Sequence, residues 1–171
     1  MNRLSEFLNR LHTHNFDAAA LMPTANLKYL TGLTFHAGKR LNLTLIHNTK
    51  PSVVLPALEV PGIRDHAKNL SLYPWPDEAG PHTALIDALA PFSSTIKIGI
   101  ENGAMRVMEL RALETAAAKR DLTLQTEDIT ALIADMRMVK DAEEQANMAE
   151  AARRVEIALK SAVDQIRADM T

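Results

Sequence analysis

Six histidines and 21 acidic residues are the side chains from which this 171-residue chain could assemble a metal or acid–base site. The histidines are His12, His14, His36, His47, His66 and His82. None belongs to a His-Glu-x-x-His pair, the spacing that sets two imidazoles on one helix face beside a general base. His12 and His14 stand two residues apart, which on a helix turns them to different faces. The chain has no cysteine, which excludes disulfides, thiolate nucleophiles and Cys-ligated zinc. Gly99 and Gly103 fall into neither a phosphate loop nor a dinucleotide fingerprint, and no Gly-x-Ser-x-Gly elbow presents a serine. Spacing alone does not exclude a carboxylate-rich dimetal site, which draws ligands from distant positions. Yet Asp77, Glu78, Glu127, Asp128 and Asp141 sit mainly at helix starts, where capping and solvation account for them. No catalytic residue and no metal ligand is assigned in this chain.

One stretch suits binding better than catalysis. Tyr29-Leu30-Thr31-Gly32 turns the chain toward Phe35-His36-Ala37-Gly38-Lys39-Arg40, which carries an aromatic ring, an imidazole and two cations. On pattern alone this is a surface loop between a helical turn and a strand. Loops are also where binding residues concentrate.

The elements that would position this loop follow from periodicity. Leu4, Phe7, Leu8 and Leu11 recur at helical spacing, so residues 3–14 read as an amphipathic helix. Ala18 to Met22 is a short apolar run, long enough for a buried strand only. Leu41, Leu43 and Leu45 alternate with polar residues, and Ser52 to Leu55 follows a turn at His47 to Pro51, which predicts a β-hairpin. Residues 57–68 carry a looser helical pattern broken by Pro61-Gly62. Leu70 to Tyr73 reads as a strand, and Pro74-Trp75-Pro76 as an extended connection after it. Beyond these come a helix over 81–90, a strand at Ile96, Ile98 and Ile100, and a helix over 105–119. A short strand at Leu122 and Leu124 precedes a helix over 128–137 that Asp128 would cap. Such alternation predicts an α/β domain with a mixed sheet of five to six strands flanked by helices.

The last segment differs. Asp141 and Glu144 have capping-box spacing, and neither proline nor glycine occurs from Lys140 to Thr171, which predicts a helix of about 30 residues. Ala152, Val155, Leu159, Ala162, Ile166 and Met170 form one apolar stripe along it. Two readings stand: a helix folded back on its own sheet, or a linker helix belonging to a second domain.

Composition narrows the partners. A formal net charge of −2 with scattered basic residues gives no electrostatic case for nucleic acid. No stretch has the length of a membrane span, and the first residues lack the apolar core of a signal peptide, so the expectation is a cytoplasmic protein.

Five segments, taken in order, resemble the N-terminal domain of the creatinase, prolidase and aminopeptidase P superfamily. Arg3 to Leu11 is similar to its opening helix, and Phe16 to Leu21 to the "giDAll" strand. Asn26-Leu27-Lys28-Tyr29-Leu30-Thr31-Gly32 matches "N-x-x-Y-L-T-G", and Lys97 to Glu101 resembles "k-v-G-v-e". Met136 to Glu144 resembles the "l-R-m-i-K-s-x-x-E-i" junction that introduces the catalytic domain. Gln145 in place of an aliphatic residue and Leu33 in place of phenylalanine depart from the pattern and leave the subfamily open.

The resemblance implies an N-terminal domain with a ribonuclease H-like motif over residues 1–138, followed at 139–171 by the start of a linker helix into an absent catalytic domain. It implies Xaa-Pro peptide hydrolysis by that pita-bread domain, with two divalent metals (Mn, Co or Zn) held by two Asp, one His and two Glu outside this chain. The N-terminal domain's implied roles are dimerisation and closure over the active site. Its partners would be its own catalytic domain, a second copy and a small peptide substrate. Phe35, His36, Lys39 and Arg40 then become the candidate substrate-proximal residues, with His36 and Arg40 aimed at a substrate's polar end. A free-standing interaction module of the same fold and a creatinase-like amidinohydrolase are the alternatives.

Overall fold

The computed structural model describes residues 3–36 and 38–167, with residues 64, 65 and 67 described by their backbone only. Ala37 of the predicted loop and Met170 of the predicted stripe lie outside the described residues. The chain divides into two compact units after Ile133.

The first unit is built on six strands: β1 (Ala18–Leu21), β2 (Leu43–Ile46), β3 (Ser52–Pro56), β4 (Ser71–Trp75), β5 (Thr95–Ile100) and β6 (Thr123–Asp128). Their order across the sheet is β4-β3-β2-β1-β5-β6. The β2–β3 hairpin is antiparallel with Leu45 opposite Ser52, and β2 is also antiparallel to β1. The β3–β4, β1–β5 and β5–β6 pairs are parallel, so the sheet is mixed.

Helices cover both faces. They are α1 (Arg3–Thr13), α2 (Ala25–Thr31), α3 (His82–Ala88) and α4 (Val107–Lys119), with a 3₁₀ segment at Ala57–Asn69; a further helix, α5 (Thr130–Met138), follows β6 and spans the division between the two units. Strand side chains alternate between faces. Leu43, Leu45, Val54, Ile96, Ile98 and Ile100 join Leu85, Leu89 and Leu113 in one core. Val53 and Leu55 point the other way and pack with Leu33, Ile63 and Leu70. Leu4, Phe7, Leu8 and Leu11 are buried along α1, as their spacing predicts.

Several element boundaries differ from the sequence reading: β2 begins at Leu43 and not Leu41, α3 spans His82–Ala88 and not 81–90, and α4 begins at Val107 and not 105. β4 runs through Pro74 and Trp75, where an extended connection is predicted. It is an edge strand, where proline's missing N–H breaks no ladder. β6 is longer than Leu122–Leu124 suggests and reaches Asp128, so α5 starts two residues later than predicted, at Thr130. The Asp128 carboxylate still serves the helix start: its Oδ1 accepts from the Thr130 backbone N–H at 3.0 Å and hydroxyl at 2.6 Å.

The second unit holds the last helix, α6 (Ala142–Gln165). Its capping box forms as the spacing predicts, with Glu144 N–H donating to Asp141 Oδ1 at 2.8 Å and Asp141 N–H to Glu144 Oε2 at 3.0 Å. The helix is 24 residues long instead of about 30, because Ile166 turns extended. No residue of α6 is buried, so Val155 and Leu159 stand exposed.

Candidate functional site

The loop predicted from sequence is launched by α2, and local chemistry fixes its direction. Thr24 caps the helix by accepting the Leu27 N–H at 3.4 Å. At the other end, the Thr31 hydroxyl donates to Leu27 O at 2.7 Å and accepts the Leu33 N–H at 3.1 Å. Gly32 ends the helix at φ +75°, a left-handed conformation that favours glycine, and its N–H reaches Lys28 O at 2.8 Å. Thr31-Gly32 is thus a stop-and-turn device that sends Leu33 into the apolar cluster with Val53 and Leu55. Tyr29 lies under the Arg3 guanidinium, 4.5 Å from ring centroid to carbon, tying α2 to α1.

A buried carboxylate anchors α2 to the sheet. Glu101, just past β5, is 4% exposed. One of its oxygens accepts from Asn26 Nδ2, and the other from the Thr24 hydroxyl at 3.4 Å. A carboxylate withdrawn from water needs such donors.

A second buried carboxylate holds the loop itself. Glu109, on α4, is fully buried. Its Oε2 accepts the Arg106 backbone N–H at 2.9 Å, and its Oε1 accepts Arg106 Nε at 2.7 Å and Nη2. This hydrogen bonding lifts the Arg106 guanidinium above its ordinary pKa. The remaining nitrogen, Nη1, donates to the Gly38 carbonyl at 2.9 Å. Arg106 is therefore a clamp between α4 and the loop backbone.

Arg40 closes the loop at its far end. Its Nε and Nη2 donate to Asp77 Oδ1 and Oδ2 at 2.8 and 2.6 Å, a bidentate pair about half exposed to solvent. The hydrogen bonds hold the Asp77 carboxyl below its usual range and raise Arg40 above its own. Two residues on, Asn42 is 3% exposed and donates to Glu59 Oε2 at 2.9 Å, while its own Oδ1 has no partner among the described residues.

The four predicted residues are held in different ways. Phe35 is half-buried against the cluster of Leu33, Val53 and Leu55. His36 and Arg40 border two clefts, one of about 440 Å³ toward Leu58 and Glu59, the other of about 370 Å³ toward Thr24 and Arg106. Lys39 is exposed on the first. Neither the His36 nor the Lys39 side chain has a hydrogen-bond or ion-pair partner among the described residues, although the His36 carbonyl accepts the Gly38 N–H at 2.9 Å. The arrangement offers donors and cations that can hold a carbonyl or a carboxylate. No group of three or more His, Asp or Glu that could hold a metal occurs among the described residues.

Residues 3–139 match the family described as the creatinase/prolidase N-terminal domain. The chain belongs to that family. A dipeptidase from Pyrococcus horikoshii OT3 is 27% identical, with a TM-score of 0.79 over 96% of this chain and 44% of that one. A prolidase from Thermococcus sibiricus shares 19% identity at a TM-score of 0.80, over the same shares of the two chains. The N-terminal domain of a Xaa-Pro dipeptidase from Lactobacillus brevis, 22% identical, has a TM-score of 0.65 over 78% of this chain and 98% of that one. This chain therefore spans less than half the length of the first two. Among curated proteins, none matches it in sequence. No helix among the described residues is long and apolar enough to cross a membrane.

Within this creatinase/prolidase N-terminal domain, the short motifs acquire physical roles. Asn26 and Glu101, from two separate motif segments, meet as hydrogen-bond partners. Gly99 has no room for a side chain, because a Cβ would lie 2.4 Å from Ile129 Cγ2. Sequence reasoning missed Arg106, Glu109, Asn42 and Asp77. The one available signal was Arg106-x-x-Glu109, which has capping-box spacing with an unusual first residue.

Proposed function

We propose that the chain is the non-catalytic N-terminal domain of a Xaa-Pro metallopeptidase of the prolidase or aminopeptidase P type. In that enzyme the domain serves dimerisation, and its Phe35–Arg40 loop closes over the active site. A partner catalytic domain, with two divalent metals such as Mn, Co or Zn, hydrolyses the bond preceding proline in small cytoplasmic peptides.

The observation that carries this reading is the loop. Arg106 holds its backbone at Gly38, while the His36 and Lys39 side chains, without hydrogen-bond or ion-pair partners among the described residues, stand at the edge of open clefts. Pinned backbone with free polar ends suits a segment that contacts a bound molecule. Arg40, committed to Asp77, serves first as a brace.

In the enzyme carrying this domain, His36→Ala and Lys39→Ala should each raise KM for Xaa-Pro dipeptides, by ~1–2 kcal/mol of lost contact, at unchanged thermal stability. Unchanged kinetics in both variants would reduce the loop to a plain connection. The chain by itself should show no turnover; stoichiometric bound Mn or Zn together with dipeptide hydrolysis would overturn the non-catalytic reading.

A further inference from the structure

A third cleft, of about 550 Å³ and also bordered by Arg40, opens between the residues just before β2, the end of β4, the start of α3 and one face of α4. Its walls include Leu41, Trp75, Pro81, Met108 and Ala112. The Trp75 indole N–H already donates to Leu41 O at 3.2 Å, so the ring offers the cleft only carbon. The volume lies within the range of small-ligand sites.

The rim has the opposite character. Lys39, Arg40, His82 and Arg111 border the cleft, and none of the described residues lining it is acidic. Arg40 is committed to Asp77, but Lys39 has no ion-pair partner among the described residues. Among the described residues Arg111 pairs only with Glu114, one turn along α4, in an exposed contact at 2.7 Å that is weak in water and readily exchanged. Two cations are thus available at the mouth of an apolar hollow.

We propose that this cleft binds a small apolar monocarboxylic acid. The hydrocarbon body lies against Trp75, Met108 and Ala112, and the carboxylate accepts from Lys39 and Arg111. A neutral apolar molecule would leave the cations unused, and a small inorganic anion would leave the apolar walls wet. Charge complementarity therefore selects a molecule with both parts. The site shares Lys39 with the loop reading above but requires neither metal nor catalytic domain, so its binding test is decided separately from peptidase kinetics.

The chain carries a single tryptophan, Trp75, so its emission reports on this cleft alone. Octanoate titrated into the protein should produce a saturable change in Trp75 emission. Octyltrimethylammonium and octanol, the same chain with a cationic or neutral head, should bind at least about fivefold more weakly. Arg111→Ala, at a largely exposed side chain, should weaken octanoate binding about fivefold without altering the unfolding temperature. Ala112→Phe, which fills the hollow, should abolish the response. No saturable change, equal binding of all three probes, or octanoate affinity unaffected by both substitutions would each overturn the proposal.

Discussion

A methyl group at position 99 tests how tightly the sheet and the segment after β6 are fitted together. Gly99 lies in β5, and Ile129 immediately precedes α5, its N–H donating to Ile100 O at 2.9 Å. In Gly99→Ala the new methyl would sit 2.4 Å from Ile129 Cγ2, 3.0 Å from Cδ1 and 3.3 Å from Cγ1. Ordinary contact begins near 3.4 Å, so the closest approach is about 1 Å too short. Ile129 is 2% exposed and its backbone is tied to β5, so it has little room to retreat. Overpacking of this kind costs ~1–3 kcal/mol. At ~2 kcal/mol, a unit of this size would lose roughly 6 °C in Tm. Ile129→Ala alone opens a cavity and costs ~2–5 kcal/mol. The double variant removes all three clashing atoms and places a methyl in the space they left. Its loss should therefore fall short of the sum of the two single losses by ~1–3 kcal/mol. Urea unfolding followed by Trp75 emission supplies all four corners of the cycle. A Gly99→Ala change below ~0.5 kcal/mol, or simple additivity in the double variant, would refute the close-approach account of this glycine.

Arg106→Ala should destabilise the fold by ~2 kcal/mol, because it strips the buried Glu109 carboxylate of its main donor while water replaces part of the loss. Hydrogen exchange around the loop should accelerate in the same variant; protection unchanged at residues 38–40 would contradict the clamp. Thr44 Oγ1 is buried without a partner among the described residues, so Thr44→Val should leave stability unchanged or raise it by up to ~1 kcal/mol, and a loss in urea unfolding would reveal an unrecognised partner. Burial holds His47 below its ordinary value of 6.5, so the unfolded chain takes up the proton first as pH falls. That contribution is fully present above 6.5 and is lost as pH drops through the lower folded value, so His47→Gln should flatten the decline in Tm as pH falls below 6.5. Equal slopes in both proteins would exclude His47 as the titrating group.

What the sequence revealed was what local periodicity records. The strand read at Leu41–Leu45 appears as β2 from Leu43, with Asn42 and Thr44 buried as well, and the Ile96–Ile100 strand, the hairpin turn and the Asp141–Glu144 box all appear in the structure. The missed features depend on sheet order or on long-range pairing. Pro74 is tolerable within β4 only because β4 is an edge, and nothing near residue 74 states that. β6 is the other edge, and its outer half, Gln125-Thr126-Glu127, is exposed, so it lacks apolar alternation to betray a strand. The site is more hidden still: Asn26 and Glu101 are 75 residues apart, Gly38 and Arg106 are 68 apart, and Arg40 and Asp77 are 37 apart. The loop was visible as a composition; the carboxylates that brace it were not.

The contact between Arg106 and the loop is made to a main-chain oxygen, not to a side chain. A carbonyl is common to every amino acid, so the anchor is indifferent to what its neighbours carry. Residues 36 and 39 can therefore be exchanged while the segment keeps its course. A mount that grips the backbone lets selection rewrite the chemistry at the loop's tip without redesigning the scaffold that holds it.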